Sequence, residues 1–224
     1  ELDDADDFKD KSFIHMQSIS PHRQNSDSHG WTLLIELLRD AWQEINIGNI
    51  EQAAWIAQSW FNIPYPTFKR LAFFAASKNE EISSQQWVDW LLQDNAWWLW
   101  HIGVQREKFR LLVERGMSLT DDMQKKLENT ILAGPPRKMY PEDLDESEWK
   151  EIKERNVWLH LAKLQSSGLA LGADAIQQLN ALSDNHPEWK LANNERDEFS
   201  IWTTGTGDPD FEENLYIEEA PQTQ

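Results

Sequence analysis

The chain has 224 residues, enough for one domain, or two small ones, around a sizeable core. It contains no cysteine, which excludes disulfides, thiolate metal sites and cysteine nucleophiles. Thirty-nine acids against 21 bases leave a net charge of −18, a field that repels nucleic-acid phosphates unless a basic patch is segregated, and apolar runs such as Ala72–Ala76 are far too short to span a bilayer.

Residues 1–29 are rich in Asp, Ser, His and Asn without periodicity, and are expected to form a polar, loosely held lead-in. Glu1 is not a start methionine, and "ELDDADDFKD" lacks the basic and apolar parts of a signal peptide. The expectation is a piece of a longer cytoplasmic protein. At Trp31 the pattern changes. Trp31, Leu34, Ile35, Leu38, Trp42 and Ile45 form one stripe on a 3.6-residue helix, and Gly48 supplies a left-handed stop. A second helix carries Ile50, Ala53, Ala54, Ala57 and Phe61.

"IPYPTFKRLAFFAAS" predicts a turn and a third helix, with Pro66 in its first turn, where the missing N–H costs nothing. Ser83 with Gln86 resembles a capping box and opens a helix through Trp87, Trp90 and Leu91. Beyond Gly103 a helix carries Phe109, Leu112 and Val113 to Gly116. Thr120 caps the next, through Met123, Leu127 and Ile131, and "AGPPRK" ends it. Asp145 and Glu148 cap a helix through Trp149 and Ile152 that can continue to Leu164. Asp174 opens one through Ile176, Leu179 and Leu182, and Asn194 caps a last one with Phe199 and Trp202. No segment alternates as a strand does. The predicted fold is all-α, an array of about eight to ten short helices, either an irregular bundle or a helical-hairpin superhelix. Its predicted divisions are the lead-in 1–29, a helical domain 30–204 and an acidic C-terminal segment 205–224. "LLRDAW" (37–42) echoes "LLQDNAW" (91–97), but one echo is not a period.

The six histidines include no pair four residues apart to share a metal on one helical face. His101 and His160 sit beside apolar positions and read as core or rim residues. "TGTGDPDFEE" (204–213) has no lysine after its glycines and only part of a calcium-loop pattern, so it reads as a surface turn. The basic runs "FKR" (68–70) and "REKFR" (106–110) read as solvated helix faces. No nucleophile elbow or Ser/His/Asp signature appears, and no catalytic residue, metal site or cofactor is assigned.

"NAWWLW" (95–100) places three of the chain's 13 tryptophans within four positions. Three readings are open: a core, a protein interface, or a platform for a sugar, base or methylammonium group. On the core reading Trp97 or Trp98 is a buried wedge between the helices around Leu91 and Phe109. At least one of Leu99, Trp100 and Ile102 then lies near the surface.

"IPYPTFKRLAFFAAS", "DNAWWLW", "ILAGPPRKMY", "VWLHLAKLQSSGLALGADA" and "NNERDEFSIWTTGTGDPDFE" resemble, in order and across most of residues 55–213, an uncharacterised helical domain of large bacterial proteins. Those proteins begin with a sirtuin-like domain and are implicated in defence against phage. The resemblance implies that the neighbouring domain, outside this chain, consumes NAD, while the helical region senses, scaffolds or restrains it. This chain has no strand–GxGxxG–helix unit of its own. The expected function is therefore a non-catalytic interaction and regulatory region. Its partners would be other domains of the parent or a phage or host protein, with homo-oligomerisation through the parent, and no nucleic acid or membrane. Candidate contact residues are Trp97, Trp98, Trp100 and Arg106, with Lys69, Arg70, Arg137 and Arg196. Asn194 and Asp197 are further polar groups that packing leaves unexplained. The alternative is a carbohydrate-active enzyme on a helical toroid, with tryptophan platforms and a carboxylate pair in a deep cleft.

Overall fold

A computed structural model of the protein describes residues 10, 12–25 and 30–199. Nine α-helices and five 3-10 turns make up the regular structure of these residues, with no strand among them. They are α1 (Ser12–His15), α2 (Thr32–Gly48), α3 (Ile50–Phe61), α4 (Pro66–Lys78), α5 (Ser84–Trp100), α6 (Gln105–Arg115), α7 (Asp121–Ala133), α8 (Glu146–Ser166) and α9 (Ala173–Asn185). The predicted all-α array is the observed fold. Trp202 and the 204–213 turn lie outside the described residues.

Local chemistry sets most boundaries. Pro66 occupies the first turn of α4. Ser83 and Thr120 accept hydrogen bonds from the backbone N–H groups of Gln86 and Met123. Asp145 and Glu148 form a reciprocal capping box at α8. The expected left-handed stop at Gly48 is not used. Gly48 is the last residue of α2, and Asn49, with extended backbone, ends that helix and caps α3 through its side chain. Asn194 does not open a helix either: Asn193–Glu198 is a short 3-10 turn, brought against α6 by ion pairs.

α2, α3 and α4 stack in chain order, but α4 then packs against α6 rather than α5, α6 against α8, and α8 against α9. α7 fills the space beside α5, α8 and α9. That order is an irregular bundle, not a regular superhelix. The two "LL…AW" strings do not share a structure. Leu37–Trp42 is uninterrupted helix, whereas Asp94, Asn95 and Ala96 take left-handed φ values of 55°, 60° and 61° inside α5.

Two expectations about charge are corrected. "REKFR" is not a solvated face: Arg106, Glu107 and Lys108 are all buried, and each meets a partner. Arg106 pairs with Glu198 at 2.6 Å and also with Glu195, Arg70 pairs with Glu107 at 2.9 Å, and Lys108 lies against His160. The lead-in is likewise held where it is described. Met16 and Ile19 are buried in the core. Arg70 Nη2 donates to Met16 O at 2.7 Å, Arg39 Nη1 to Ile19 O at 2.9 Å, and Ile19 N to Glu107 at 2.8 Å. Buried charges are the latches that hold 12–25 against α2, α4 and α6, and 193–198 against α6. A buried pair of this kind is costly to break from one side, because the remaining charge is stranded.

Candidate functional site

The left-handed turn at 94–96 kinks α5 just before the tryptophan cluster. Left-handed backbone is unfavourable for any residue with a Cβ. Its effect is to turn Trp97–Trp100 onto a new axis. Trp98 and Trp100 are then buried, Leu99 fully so, and Trp97 is half-buried. Ile102, by contrast, is 55% exposed. The expected division between a buried indole and an outward residue is met, although Trp98 packs on His101 (centroids 5.4 Å apart) rather than between α5 and α6 alone.

A cleft of about 610 Å³ opens beside this turn. It is lined by Trp97 and Trp100, by Phe13 and Ile14 of the lead-in, and by Met139 and Tyr140. α8 contributes Arg155, Asn156 and Leu159 to the lining, together with the polar residues Asp10, Gln105 and Asp197. A mostly apolar cleft of this size with a few convergent polar groups is the usual form of a ligand site.

His101 lines the cleft. Its Nδ1 accepts from Gly103 N at 3.1 Å, which puts the ring proton on Nε2. Burial, with the nearby Lys108 charge, lowers its pKa to about 4, so the ring is neutral near pH 7. Asp10 accepts from Ser12 N at 2.9 Å and from Thr67 N and Oγ1, both at 3.0 Å. Burial opposes its ionisation, but these hydrogen bonds together hold the carboxyl below its usual range. Asp197 accepts from Ala192 N at 2.5 Å and lies near Lys163 (4.0 Å) and Arg155 (3.9 Å). Behind Trp100 stands His160, its ring centroid 4.5 Å away.

Of the residues expected to make contacts, Trp97 and Trp100 meet at the cleft. Trp98, Lys69, Arg70 and Arg106 are buried, which corrects their reading as contact residues. Lys69 lies over the Trp98 ring at 5.0 Å and donates to Phe61 O. Arg137 donates to the carbonyls of Tyr140, Pro141, Glu142 and Leu144 and so braces its own loop. Arg196 is half-buried in the 3-10 turn against α6. Among the described residues Lys69, Arg70, Arg106 and Lys108 are buried and Arg110 is paired with Glu195, so neither basic run is an open cationic face.

Sequence periodicity missed the outer side of α2. The body covers Thr32, Ile35, Arg39 and Trp42. Leu34 and Leu37 are each 63% exposed, Leu33 52% and Leu38 39%, with Trp31 at 40%. The stripe read from the sequence is centred well around the helix from the face that is buried, and its far half is uncovered. The signal was present: two "LL" pairs around Ile35 spread apolar residues over a wider arc than one contact needs. On α3, Trp55 is also 70% exposed.

No protein-family model matches the chain, and no curated protein or solved structure is significantly similar to it. Among the described residues no helix is long and apolar enough to cross a membrane.

Proposed function

We propose that the chain is a non-catalytic interaction and regulatory region of a larger cytoplasmic bacterial defence protein, in which a sirtuin-like domain outside this chain acts on NAD. The observation that supports an interaction role is the uncovered leucine flank of α2. A contiguous apolar patch on a folded surface marks a place where another molecule sits. Glu36, Asp40 and Glu44 follow one another at four-residue spacing beside that flank. A partner helix with an apolar stripe and basic edges would complement it. The link to defence and to NAD rests on the sequence resemblance.

The carbohydrate-enzyme reading receives less support. Trp97 and Trp100 do share a cleft with Asp10 and Asp197. A glycosidase needs one carboxyl raised in pKa to act as the acid. Asp10 is held low instead, with both oxygens committed to Ser12 and Thr67.

The test uses the full reading frame that carries this chain. Leu34→Glu with Leu37→Glu is expected to change NAD consumption or assembly of the parent while the fold stays intact by circular dichroism. A parent without an NAD-consuming domain would remove the sirtuin part of the proposal. Unchanged assembly and unchanged activity would remove the interaction role.

A further inference from the structure

The cleft of about 610 Å³ beside the tryptophan cluster takes none of its lining from α2, so it stands apart from the leucine flank. Two of its lining residues, Arg155 and Asp10, carry opposite charges that the fold does not use up.

Arg155 donates a hydrogen bond to no described residue. Its Nη1 is buried and unpartnered. Its Nη2 lies 3.9 Å from Asp197 Oδ1, an ion pair longer than a hydrogen bond. The guanidinium is nevertheless held in place. It sits 4.6 Å from the Trp158 ring and 5.2 Å from the Trp189 ring. Cation–π contact of this kind fixes the group and leaves its N–H bonds free. The side chain is 36% exposed, so part of it remains within reach of a ligand. Nε and Nη2 together form the side-on fork that takes a carboxylate through two hydrogen bonds.

Asp10 has the opposite need. Its hydrogen bonds come from Ser12 N, Thr67 N and Thr67 Oγ1, all uncharged donors. They hold the carboxyl ionised, yet no cation among the described residues forms an ion pair with it. His101, which lines the same cleft, is neutral near pH 7. A carboxylate offers about four acceptor sites. Oδ2 takes both Thr67 donors and Oδ1 only Ser12 N, so Oδ1 has room for one more.

We infer that the cleft binds a zwitterion with an apolar body, an α-amino acid or short peptide, with its carboxylate on Arg155 and its ammonium on Asp10. Phe13, Ile14, Trp97 and Leu159 supply apolar lining for the body. A simple anion would approach against the chain's net charge of −18 and meet Asp10 and Asp197 in the cleft. A simple amine would leave Arg155 without an acceptor. A zwitterion has no net charge and answers both groups.

The experiment is isothermal titration calorimetry of the full chain at about pH 6.5, below the ordinary α-amino range. The probes are L-phenylalanine and L-leucyl-L-phenylalanine, each also as its C-terminal amide and its N-acetyl form. At least one of the two free zwitterions is expected to bind with a Kd below about 1 mM. Which of them binds more tightly reports the span between Arg155 and Asp10. Blocking either end of that ligand should weaken binding at least tenfold. Arg155→Gln should bring the free acid and its amide to the same affinity. Asp10→Asn should do so for the free amine and its N-acetyl form. A loss of packing alone would weaken all forms together and keep their ratios. No saturable heat from either free zwitterion, a blocked form that binds as tightly as the free one, or ratios unchanged in Arg155→Gln would each overturn the inference. The ligand series in the parent chain decides the matter even where a variant fails to fold.

Discussion

Lys108 Nζ lies 2.9 Å from His160 Nε2, and both side chains are buried. The network assigns the protons. His160 Nδ1 is 2.7 Å from Asn156 O and Nε2 3.0 Å from Leu99 O; with the hydrogen on Nδ1 at the shorter contact, Nε2 accepts from the amine that bridges it to Leu99 O. Lys108 then donates to His160 Nε2 and to Leu99 O, the latter at 2.8 Å. Burial pushes the amine well below the ordinary lysine range. Even uncharged, it has the two N–H bonds this site needs. Lys108→Met keeps the length and removes the amine that bridges His160 Nε2 and Leu99 O. The expected loss is about 3 kcal/mol in a urea titration. A loss under about 1 kcal/mol would show that water or another donor replaces the amine.

Acid should destabilise the fold above the ordinary carboxylate range. Burial lowers the pKa of His160 far below the usual histidine value, and that of His101 to about 4. Between pH 6.5 and pH 4 the unfolded chain binds protons at these rings and the native protein does not. Stability is thus full above 6.5 and falls as pH drops toward 4, by about 3 kcal/mol for His101 alone. Glu198 has the opposite sign. Burial raises it to about 7 against the pull of Arg106 and Lys163, so its contribution is full below 4.5 and is lost as pH rises toward 7. The two effects oppose each other between 4.5 and 6.5. Thermal midpoints across that range should fall with acid, and more steeply in Glu198→Gln. A flatter profile in that variant would reverse the assignment.

The α2 surface gives a contrast within one helix. Ile35→Ala, on the buried side, should cost about 2–5 kcal/mol. Leu34→Glu and Leu37→Glu, on the uncovered side, should each shift stability of the isolated chain by no more than about 0.5 kcal/mol. A chemical denaturation series would show it. Equal losses on both sides would mean that the flank is covered in solution.

How far the sequence could be read depended on whether the signal was local. Thr120, Asp145 and Pro66 act through neighbours two or three residues away, and their roles were visible in the strings around them. Periodicity found α2 but misplaced its buried side, because which arc meets the body depends on α3 and α4. The latches were illegible for the same reason. Glu107 meets Arg70, 37 residues away, and Arg106 meets Glu198, 92 residues away. A basic run looks alike whether water or distant acids neutralise it. Trp97 and Trp100 were legible as a cluster. Phe13, Asn156 and Leu159, which complete their cleft, come from segments whose approach no local pattern encodes.

The left-handed turn makes a prediction at Ala96, where φ is 61° and the residue is 7% exposed. Valine there would add a β-branched clash to an unfavourable backbone, at a cost of roughly 2 kcal/mol. Glycine relieves the backbone but costs entropy in the unfolded chain, so Ala96→Gly should be neutral or stabilising by up to about 1 kcal/mol. Melting curves of the two variants should move in different directions or by clearly different amounts. Equal destabilisation by both would argue against a left-handed residue at this position.

The three indoles of "NAWWLW" should separate by burial. Trp98 is 3% exposed and Trp100 5%, while Trp97 is a half-buried wall of the cleft. Truncating either buried indole to alanine should cost roughly 3–5 kcal/mol, and truncating Trp97 clearly less. Trp98 carries a further test. Its Nε1–H is buried with no hydrogen-bond partner, so Trp98→Phe loses no hydrogen bond and removes an unmet donor. That variant should recover much of the stability lost in Trp98→Ala. Trp100→Ala differs in kind, because its ring packs on His160 at 4.5 Å and separates that histidine from the cleft. Removing it lets water approach the imidazole, which raises its pKa toward the ordinary histidine value. The acid-induced loss of stability should then be shallower in Trp100→Ala than in Trp98→Ala, measured from midpoints between pH 6.5 and 4. If the two variants keep the same pH profile, Trp100 does not shield His160. If Trp97→Ala melts as low as Trp98→Ala, Trp97 is a core residue and the cleft wall is part of the packing.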